Sequence, residues 1–175
     1  MWQVQSTSPS SPAAKQFRRL VHTAQGGSGD AVAVRCVAWA PTTVRKLATA
    51  CFDGSVWVFD TEAGAPLATL VGHLGPSCGL AFTSDGSRLV STGEDGTVRL
   101  WRGNAAGGQL RCFIGHTRSV TSCALIGDAR RVGWAGDHVE AVVSVAADGQ
   151  LRGWAVPDST VKLAPETRSP VTAVA

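Results

Sequence analysis

The chain has 175 residues, of which 44% are hydrophobic, and it carries a net charge of +3. This composition is typical of a globular protein, and the densest basic clusters are only the pairs Arg18-Arg19 and Arg130-Arg131, so nothing indicates nucleic-acid binding. No apolar run approaches the roughly 20 residues that cross a bilayer, and residues 1–20 lack the apolar core of a signal peptide. We therefore expect an intracellular protein, cytoplasmic or nuclear, that binds neither nucleic acid nor membrane.

The cysteines are widely spaced and lie inside apolar, strand-like runs, at positions Cys36, Cys51, Cys78, Cys112 and Cys123. An odd number without Cys-x-x-Cys spacing is typical of free thiols in a reducing compartment, and it fits neither a disulfide framework nor a zinc site. His138 has acidic neighbours, but their spacing matches no ligand motif. We expect no metal and no cofactor.

Three stretches of the chain share one pattern, in which Asp-Gly precedes a β-rich run that contains an aromatic residue six positions after the Asp. A small hydroxyl residue stands four positions before each Asp. The hydroxyl, Asp and aromatic residues are Thr49, Asp53 and Phe59, then Ser91, Asp95 and Trp101, then Ser144, Asp148 and Trp154. Asp-Gly favours a tight turn because Gly accepts the positive φ that the turn requires, so each stretch predicts a β-hairpin.

The pattern recurs at a regular period. The runs that open each unit begin near Val34, Ser77, Val120 and Val171, and these starts are 43, 43 and 51 residues apart. An insertion from Asp128 to Glu140 explains the longer third interval. Three units in phase predict a repeat protein.

The stretch from Gly72-His73 to Leu100-Trp101 resembles a WD40 repeat, whose signature runs from Gly-His to Trp-Asp over roughly 40–45 residues. The resemblance implies a β-propeller, in which each repeat contributes a four-stranded blade. The fold class that we predict is all-β, a partial β-propeller with three complete four-stranded antiparallel blades and a fragment of a blade at each end.

In chain order, residues 1–21 are expected to end a preceding blade and to include a Ser/Pro-rich loop. The three repeats span 22–70, 71–114 and 115–164, and residues 165–175 begin the first strand of a next blade. The strands that we predict in the three repeats are Val32–Ala40, Leu47–Cys51, Ser55–Phe59, Pro66–Leu70, Ser77–Phe82, Arg88–Ser91, Thr97–Trp101, Gln109–Ile114, Val120–Ile126, Ala141–Val145, Gln150–Trp154 and Val161–Ala164.

Propellers close with roughly 4–8 blades, because an open arc leaves apolar faces and unpaired strand edges at its ends. We therefore expect that further blades, from a longer chain or from a partner, complete the ring.

The second and third units each contain His, Ser, Asp and Trp, which are His73, Ser91, Asp95 and Trp101, then His116, Ser144, Asp148 and Trp154. The resemblance implies that these side chains form a structural hydrogen-bonded tetrad inside each blade, which satisfies buried polar atoms. The alternative is a Ser/His/Asp hydrolase, but no Gly-x-Ser-x-Gly elbow accompanies the set.

The first unit departs from this pattern. Thr49 and Asp53 are present, but Phe59 takes the place of the Trp and cannot donate a hydrogen bond. His22 lies 31 residues before Asp53, against 22 for His73 and Asp95. We expect this blade to lack the full tetrad.

The resemblance also implies a function. WD40 propellers typically act as rigid, non-catalytic platforms that hold peptides or other subunits on the face formed by loops between blades and by turns between second and third strands. On this chain that face would include Phe52, Leu74, Glu94, Thr117, Arg118 and Ala147. We expect a protein-interaction scaffold in a multiprotein assembly; the alternatives are a propeller-based hydrolase and a truncated segment without independent function.

Overall fold

The structure, a computed structural model, describes residues 31–41, 45–127 and 140–156. Within these ranges the regular structure is all β, and its eleven strands are β1 (Val34–Trp39), β2 (Lys46–Cys51), β3 (Val56–Asp60), β4 (Ala65–Leu70), β5 (Ser77–Phe82), β6 (Arg88–Gly93), β7 (Thr97–Arg102), β8 (Gln109–Ile114), β9 (Val120–Gly127), β10 (Glu140–Ala146) and β11 (Leu151–Val156).

The strands form three antiparallel sheets in which chain neighbours pair. The first sheet has the order β1-β2-β3-β4 and the second β5-β6-β7-β8, while the described part of the third contains β9, β10 and β11. The predicted all-β, partial-propeller fold class is confirmed. The twelfth predicted strand, Val161–Ala164, lies outside the described residues, as do residues 128–139 of the predicted insertion and the blade fragments predicted at 1–21 and 165–175; Glu140, the last residue of the predicted insertion, begins β10. The repeat boundaries stay predictions.

Most strand bounds agree with the sequence pattern to within two residues. The largest differences are that β1 begins at Val34 instead of Val32, that β6 continues to Gly93 instead of stopping at Ser91, and that β11 continues to Val156 instead of stopping at Trp154. The extension of β6 occurs because Gly93 still pairs with Ser77 at the start of β5. Glycine has a low strand propensity, so the continuation of β6 to Gly93 is not visible in the local sequence.

The Asp-Gly turns owe their shape to both residues. Gly54 and Gly96 adopt φ angles of 85° and 76°, which a residue with a side chain adopts only at a cost. Asp Oδ1 accepts the backbone N–H two residues ahead, at 3.0 Å for Asp53 and Ser55 and at 3.1 Å for Asp95 and Thr97. Each turn is therefore fixed by its own side chain, and this fixes the hairpin register.

Two apolar clusters join the three sheets face to face. The first holds β2 and β3 of the first sheet against the second sheet, through Ala48, Ala50, Val56, Val58, Leu80, Phe82, Leu89 and Trp101. The other holds the second sheet against the third, through Val90, Val98, Leu100, Phe113, Val120, Val142, Trp154 and Val156. Leu89 and Val90 are adjacent in β6 and point to opposite faces, so both faces of the second sheet are buried.

The outermost face of the first sheet is different. Val37 and Trp39 of β1 are 60% and 58% exposed, on the opposite side of the strand from Cys36 and Ala38, which pack toward the second sheet.

All five cysteines lie within the described ranges and are free thiols. The described residues also contain no helix with the length and apolarity that a bilayer crossing requires.

Replacement of Leu89 by Ala tests the packing between the first two sheets. Leu89 is 0% exposed, so Leu89→Ala should leave a cavity and lower the free energy of unfolding of the full chain by about 2–5 kcal/mol. Leu74→Ala is the matched control, because that side chain is 91% exposed and should change the value by less than about 0.5 kcal/mol. Urea titration measures both, and equal stabilities would contradict the packing described.

Candidate functional site

The second sheet contains a buried, connected set of four polar side chains. His73 Nδ1 lies 3.0 Å from Asp95 Oδ1, and His73 Nε2 lies 2.8 Å from Ser91 Oγ. Trp101 Nε1 donates to the same Ser91 oxygen at 2.7 Å. The structure therefore brings together the four residues that the sequence pattern selected in this repeat.

The chemistry of the groups fixes the direction of each hydrogen bond. Burial lowers the pKa of His73, against the opposing effect of Asp95, so its ring is neutral at pH 7. A carboxylate only accepts, so we assign the ring proton to Nδ1, which donates to Asp95. Nε2 then accepts the Ser91 hydroxyl proton, while the Ser91 oxygen accepts from Trp101. Every polar atom in this chain of contacts has a partner.

Asp95 also holds two groups that the sequence did not reveal. The backbone N–H of Leu74 donates to Asp95 Oδ2 at 3.0 Å, and the Thr97 hydroxyl donates to Oδ1 at 2.8 Å. Although burial opposes it, hydrogen bonds from Leu74 and Thr97 lower the pKa of Asp95. Asp95 therefore joins the turn after β6 to the loop before β5. The Asp-Gly-Thr sequence could have indicated Thr97, whereas the Leu74 contact leaves no signal in a side chain.

The third sheet repeats this arrangement. His116 Nδ1 lies 2.9 Å from Asp148 Oδ2 and its Nε2 lies 2.9 Å from Ser144 Oγ, while Trp154 Nε1 donates to Ser144 Oγ at 2.8 Å. The N–H of Thr117 donates to Asp148 Oδ2 at 3.0 Å, as Leu74 does to Asp95. The third sheet therefore has the same buried set as the second, although residues 128–139 separate β9 from β10 in the chain.

The first sheet uses other residues. The Ser55 hydroxyl donates to Asp53 Oδ1 at 2.6 Å and accepts from Trp57 Nε1 at 3.0 Å. Trp57 also stacks on Phe59, with ring centroids 6.1 Å apart. Thr49 is buried in β2, opposite Trp57 in the strand register. The indole N–H of Trp57, two residues before Phe59, therefore supplies the donor that Phe59 lacks. The sequence pattern missed this residue. His22 lies outside the described residues.

The geometry bears directly on a hydrolase interpretation. Ser91 and Ser144 are both 0% exposed, and each hydroxyl is engaged by a His and a Trp. A nucleophile must reach its substrate, and these two oxygens have no access to solvent. In the described ranges, no group of three or more His, Cys, Asp or Glu side chains is arranged to hold a metal ion.

Five of the six residues predicted for a binding face lie in turns and loops at one edge of the sheets, and we call these five residues the loop face; the sixth, Ala147, lies in the β10–β11 turn. They are Phe52, Leu74, Glu94, Thr117 and Arg118, and all are exposed, Phe52 by 59% and Leu74 by 91%. Phe52 and Glu94 precede the Asp of turns β2–β3 and β6–β7, whereas Leu74, Thr117 and Arg118 lie in the loops that lead from one sheet to the next.

The loop face rests on close backbone contacts, one between neighbouring sheets and two within a sheet. A Cβ added at Gly54 would lie 2.8 Å from the carbonyl oxygen of Gly75, so the turn of the first sheet touches the loop before β5. The Glu94 N–H donates to the Pro76 carbonyl at 2.9 Å, and the Ala147 N–H donates to the Ser119 carbonyl at 2.8 Å. The loops are therefore held by the scaffold.

Arg35 of β1 contributes to the loop face, although the sequence did not select it. Its guanidinium forms an ion pair with Glu94 of the second sheet and lies 5.9 Å from the centroid of the Phe52 ring. The hydrogen bond to Glu94 raises the pKa of Arg35. A charged residue in an otherwise apolar first strand is the one signal that could have pointed to it.

Comparisons with known proteins support the resemblance. The WD40 family model, described as "WD domain, G-beta repeat", matches residues 18–60 and 64–102. SIR4-interacting protein SIF2 of Saccharomyces cerevisiae is 32% identical over 108 residues, which are 62% of this chain and 18% of that protein. Protein Notchless of Drosophila melanogaster is 34% identical over 106 residues, 58% of this chain and 21% of that protein.

The fold is also similar to solved structures. The structure of U3-55K matches with a TM-score of 0.59 and 25% sequence identity, and the match covers 71% of this chain and 34% of that one. The chain thus spans less than a quarter of the length of both relatives named above and about a third of this solved chain.

Removal of the Ser91 hydroxyl tests the structural role of the buried set. Ser91→Ala leaves Trp101 Nε1 and His73 Nε2 buried without their partner, so the free energy of unfolding should fall by about 2–3 kcal/mol. Ser122→Ala, on the exposed part of β9, should change it by less than about 0.5 kcal/mol. Denaturant unfolding of the full chain distinguishes them, and a Ser91→Ala variant as stable as the control would refute this role.

The carboxylate of Asp148 predicts a pH dependence. Burial opposes its ionisation, but hydrogen bonds from Thr117, His116 and Gln150 hold its pKa at about 2. A lowered Asp pKa stabilises the fold above the unfolded value of about 4, and this contribution is lost as the pH falls through about 2. Asp148→Asn should therefore lower Tm at pH 7, and the difference from the unmodified chain should narrow below about pH 4.

Thermal unfolding of both proteins between pH 7 and pH 3 measures this difference. Glu62→Gln, an exposed carboxylate in the β3–β4 turn, is the control and should show little effect throughout. A Tm difference for Asp148→Asn that stays constant with pH would contradict the expected stabilisation by the ionised carboxylate.

Proposed function

Because this chain belongs to the WD40-repeat family, we propose that it is a non-catalytic interaction scaffold, one subunit of a multiprotein assembly. The observation that supports this proposal is the loop face, where exposed side chains of several chain segments lie together on turns and loops whose backbone is hydrogen-bonded within each sheet. Loops held on a rigid framework are the usual place for recognition, because little order is lost when a partner binds.

The buried polar sets support the same choice between scaffold and hydrolase. They recur once per repeat, and their Ser hydroxyls are closed off from solvent. A catalytic nucleophile is needed in one place and must be accessible to its substrate, whereas side chains that stabilise a blade are needed in every blade. We infer that these sets are structural, and that neither Ser acts as a nucleophile.

The proposal also includes the completion of the propeller ring by further blades and an intracellular location. Exposed Val37 and Trp39 on the outer face of β1 favour a further blade packing there, from the same protein or from a partner. Five free cysteines favour an intracellular location. One relative is named as a SIR4-interacting protein, and we propose that the present chain likewise binds other proteins.

The proposal is tested by a tagged full chain expressed in cells, with chemical cross-linking and quantitative recovery of partners. The double variant Leu74→Ala/Arg118→Glu changes two exposed side chains of the loop face. The amount of partner protein recovered with it should fall about tenfold, while its thermal unfolding stays unchanged. Arg111→Glu reverses the same charge on the outer strand β8 and should bind like the unmodified chain. Equal recovery with all three proteins would overturn the loop face as the binding site.

A further inference from the structure

The loop face has two chemically different halves, which follow from the repeat positions. Phe52 precedes the turn Asp of the first sheet, and Leu74 follows the His of the next loop; both are large, apolar and exposed. The equivalent positions one repeat later are Glu94 and Thr117. The junction between the first and second sheets is therefore apolar, and the junction between the second and third is polar.

Arg35 connects the two halves. Its guanidinium lies over the Phe52 ring and pairs with Glu94, and the two charged side chains are 38% and 42% exposed. This contact joins the two halves, and the guanidinium offsets part of the negative charge of Glu94. Asp53 and Asp95 also lie at this edge, but their carboxylates accept hydrogen bonds from Ser55 and from Leu74 and Thr97.

Arg118 lies at the polar end, next to the β6–β7 turn. Its carbonyl oxygen would be 3.4 Å from a Cβ at Gly96, so the backbone of this loop touches the turn that carries Glu94. Its side chain is exposed, and no carboxylate among the described residues forms an ion pair with it. The loop face thus offers an apolar surface at one end and, at the other, an arginine that forms no ion pair within the described part of the chain.

The spacing of the sheets sets the distance between these two features. Sheets packed face to face are about 10 Å apart, and an extended chain advances about 3.3 Å per residue, so successive junctions are about three residues apart along a bound strand-like segment. A large apolar side chain suits the Phe52 and Leu74 surface, and a carboxylate suits Arg118.

We propose that the loop face binds an extended segment of a partner protein that carries Asp or Glu about three residues from a large apolar residue. This inference rests on the proposed scaffold function and names the chemistry of its partner. The acidic residue pairs with Arg118, while the apolar residue covers Phe52 and Leu74. Glu94 repels the incoming carboxylate, although its pairing with Arg35 weakens this effect.

The test uses a phage-displayed nonapeptide library selected on the immobilised full chain, with the affinity of enriched peptides measured by fluorescence anisotropy. We expect an acidic residue about three positions from Leu, Phe, Ile or Met. Arg118→Glu should weaken such peptides about tenfold, Leu74→Ala should weaken them about fivefold, and Glu94→Gln should strengthen them about threefold. A peptide with Lys in place of the acid should recover its affinity on Arg118→Glu.

The matched controls are Arg111→Glu on β8 and Glu62→Gln in the β3–β4 turn, and neither should change the affinity. Enrichment of basic or uncharged peptides would overturn the proposed chemistry, and so would a peptide affinity that Arg118→Glu leaves unchanged. So would an oligonucleotide, or a second copy of the chain, whose binding is lost in Arg118→Glu.

The two proposals fail in different ways. If cellular partners depend on the loop face but acidic peptides do not bind it, the scaffold function stands and the acidic-apolar motif is wrong. If neither partners nor peptides respond to changes on the loop face, both proposals are wrong.

Discussion

The carboxylate of the turn Asp is the group on which the rest of the structure depends. In the second sheet, Asp95 accepts from its own turn at Thr97, from the N–H of Leu74 in the preceding loop, and from the His73 ring. One side chain therefore closes a hairpin, anchors a loop from the neighbouring sheet and orients an imidazole. Its lowered pKa is the electrostatic consequence of these donors.

From this carboxylate the polar contacts run inward and outward. Inward, His73 and Ser91 carry them to the buried Trp101, whose ring packs in the cluster that joins the first two sheets. Outward, the anchored loop exposes Leu74 to solvent. The buried set and the loop face are thus connected through Asp95, so the hydrogen bonds inside the blade also hold the loop that exposes Leu74. The scaffold proposal depends on the rigidity that these hydrogen bonds provide.

Much of this arrangement follows from local sequence signals. The Asp-Gly turns and the apolar runs between them predict the hairpins, because both depend on residues close in the chain. The two tetrads are what the WD40 resemblance implies for the repeated His, Ser, Asp and Trp positions. The strand pairing that extends β6 to Gly93 is not visible locally, because a partner strand overrides the low propensity of glycine.

Sequence reasoning missed one contact within the first sheet and one between sheets. Trp57 and Ser55 supply the first sheet with a donor-acceptor pair that lies off the repeat pattern. Arg35 reaches Glu94, 59 residues away in the chain, beside an irregularity in the register of β1 between Val34 and Cys36. The charge of Arg35 is unusual in an apolar strand, but its pairing with Glu94 is not predictable from the sequence, because it depends on how two sheets meet.

The protonation of His73 in solution tests the central claim most directly. Nitrogen-detected NMR of the imidazole, assigned with a His73→Gln variant, reports both the tautomer and the pKa. We predict a proton on Nδ1, an accepting Nε2 and a pKa below the ordinary 6.5, since the ring is buried between Asp95 and Ser91. A ring that exchanges between tautomers and titrates near the ordinary 6.5 would show that His73 faces solvent, and the buried polar set would then not hold the blade together.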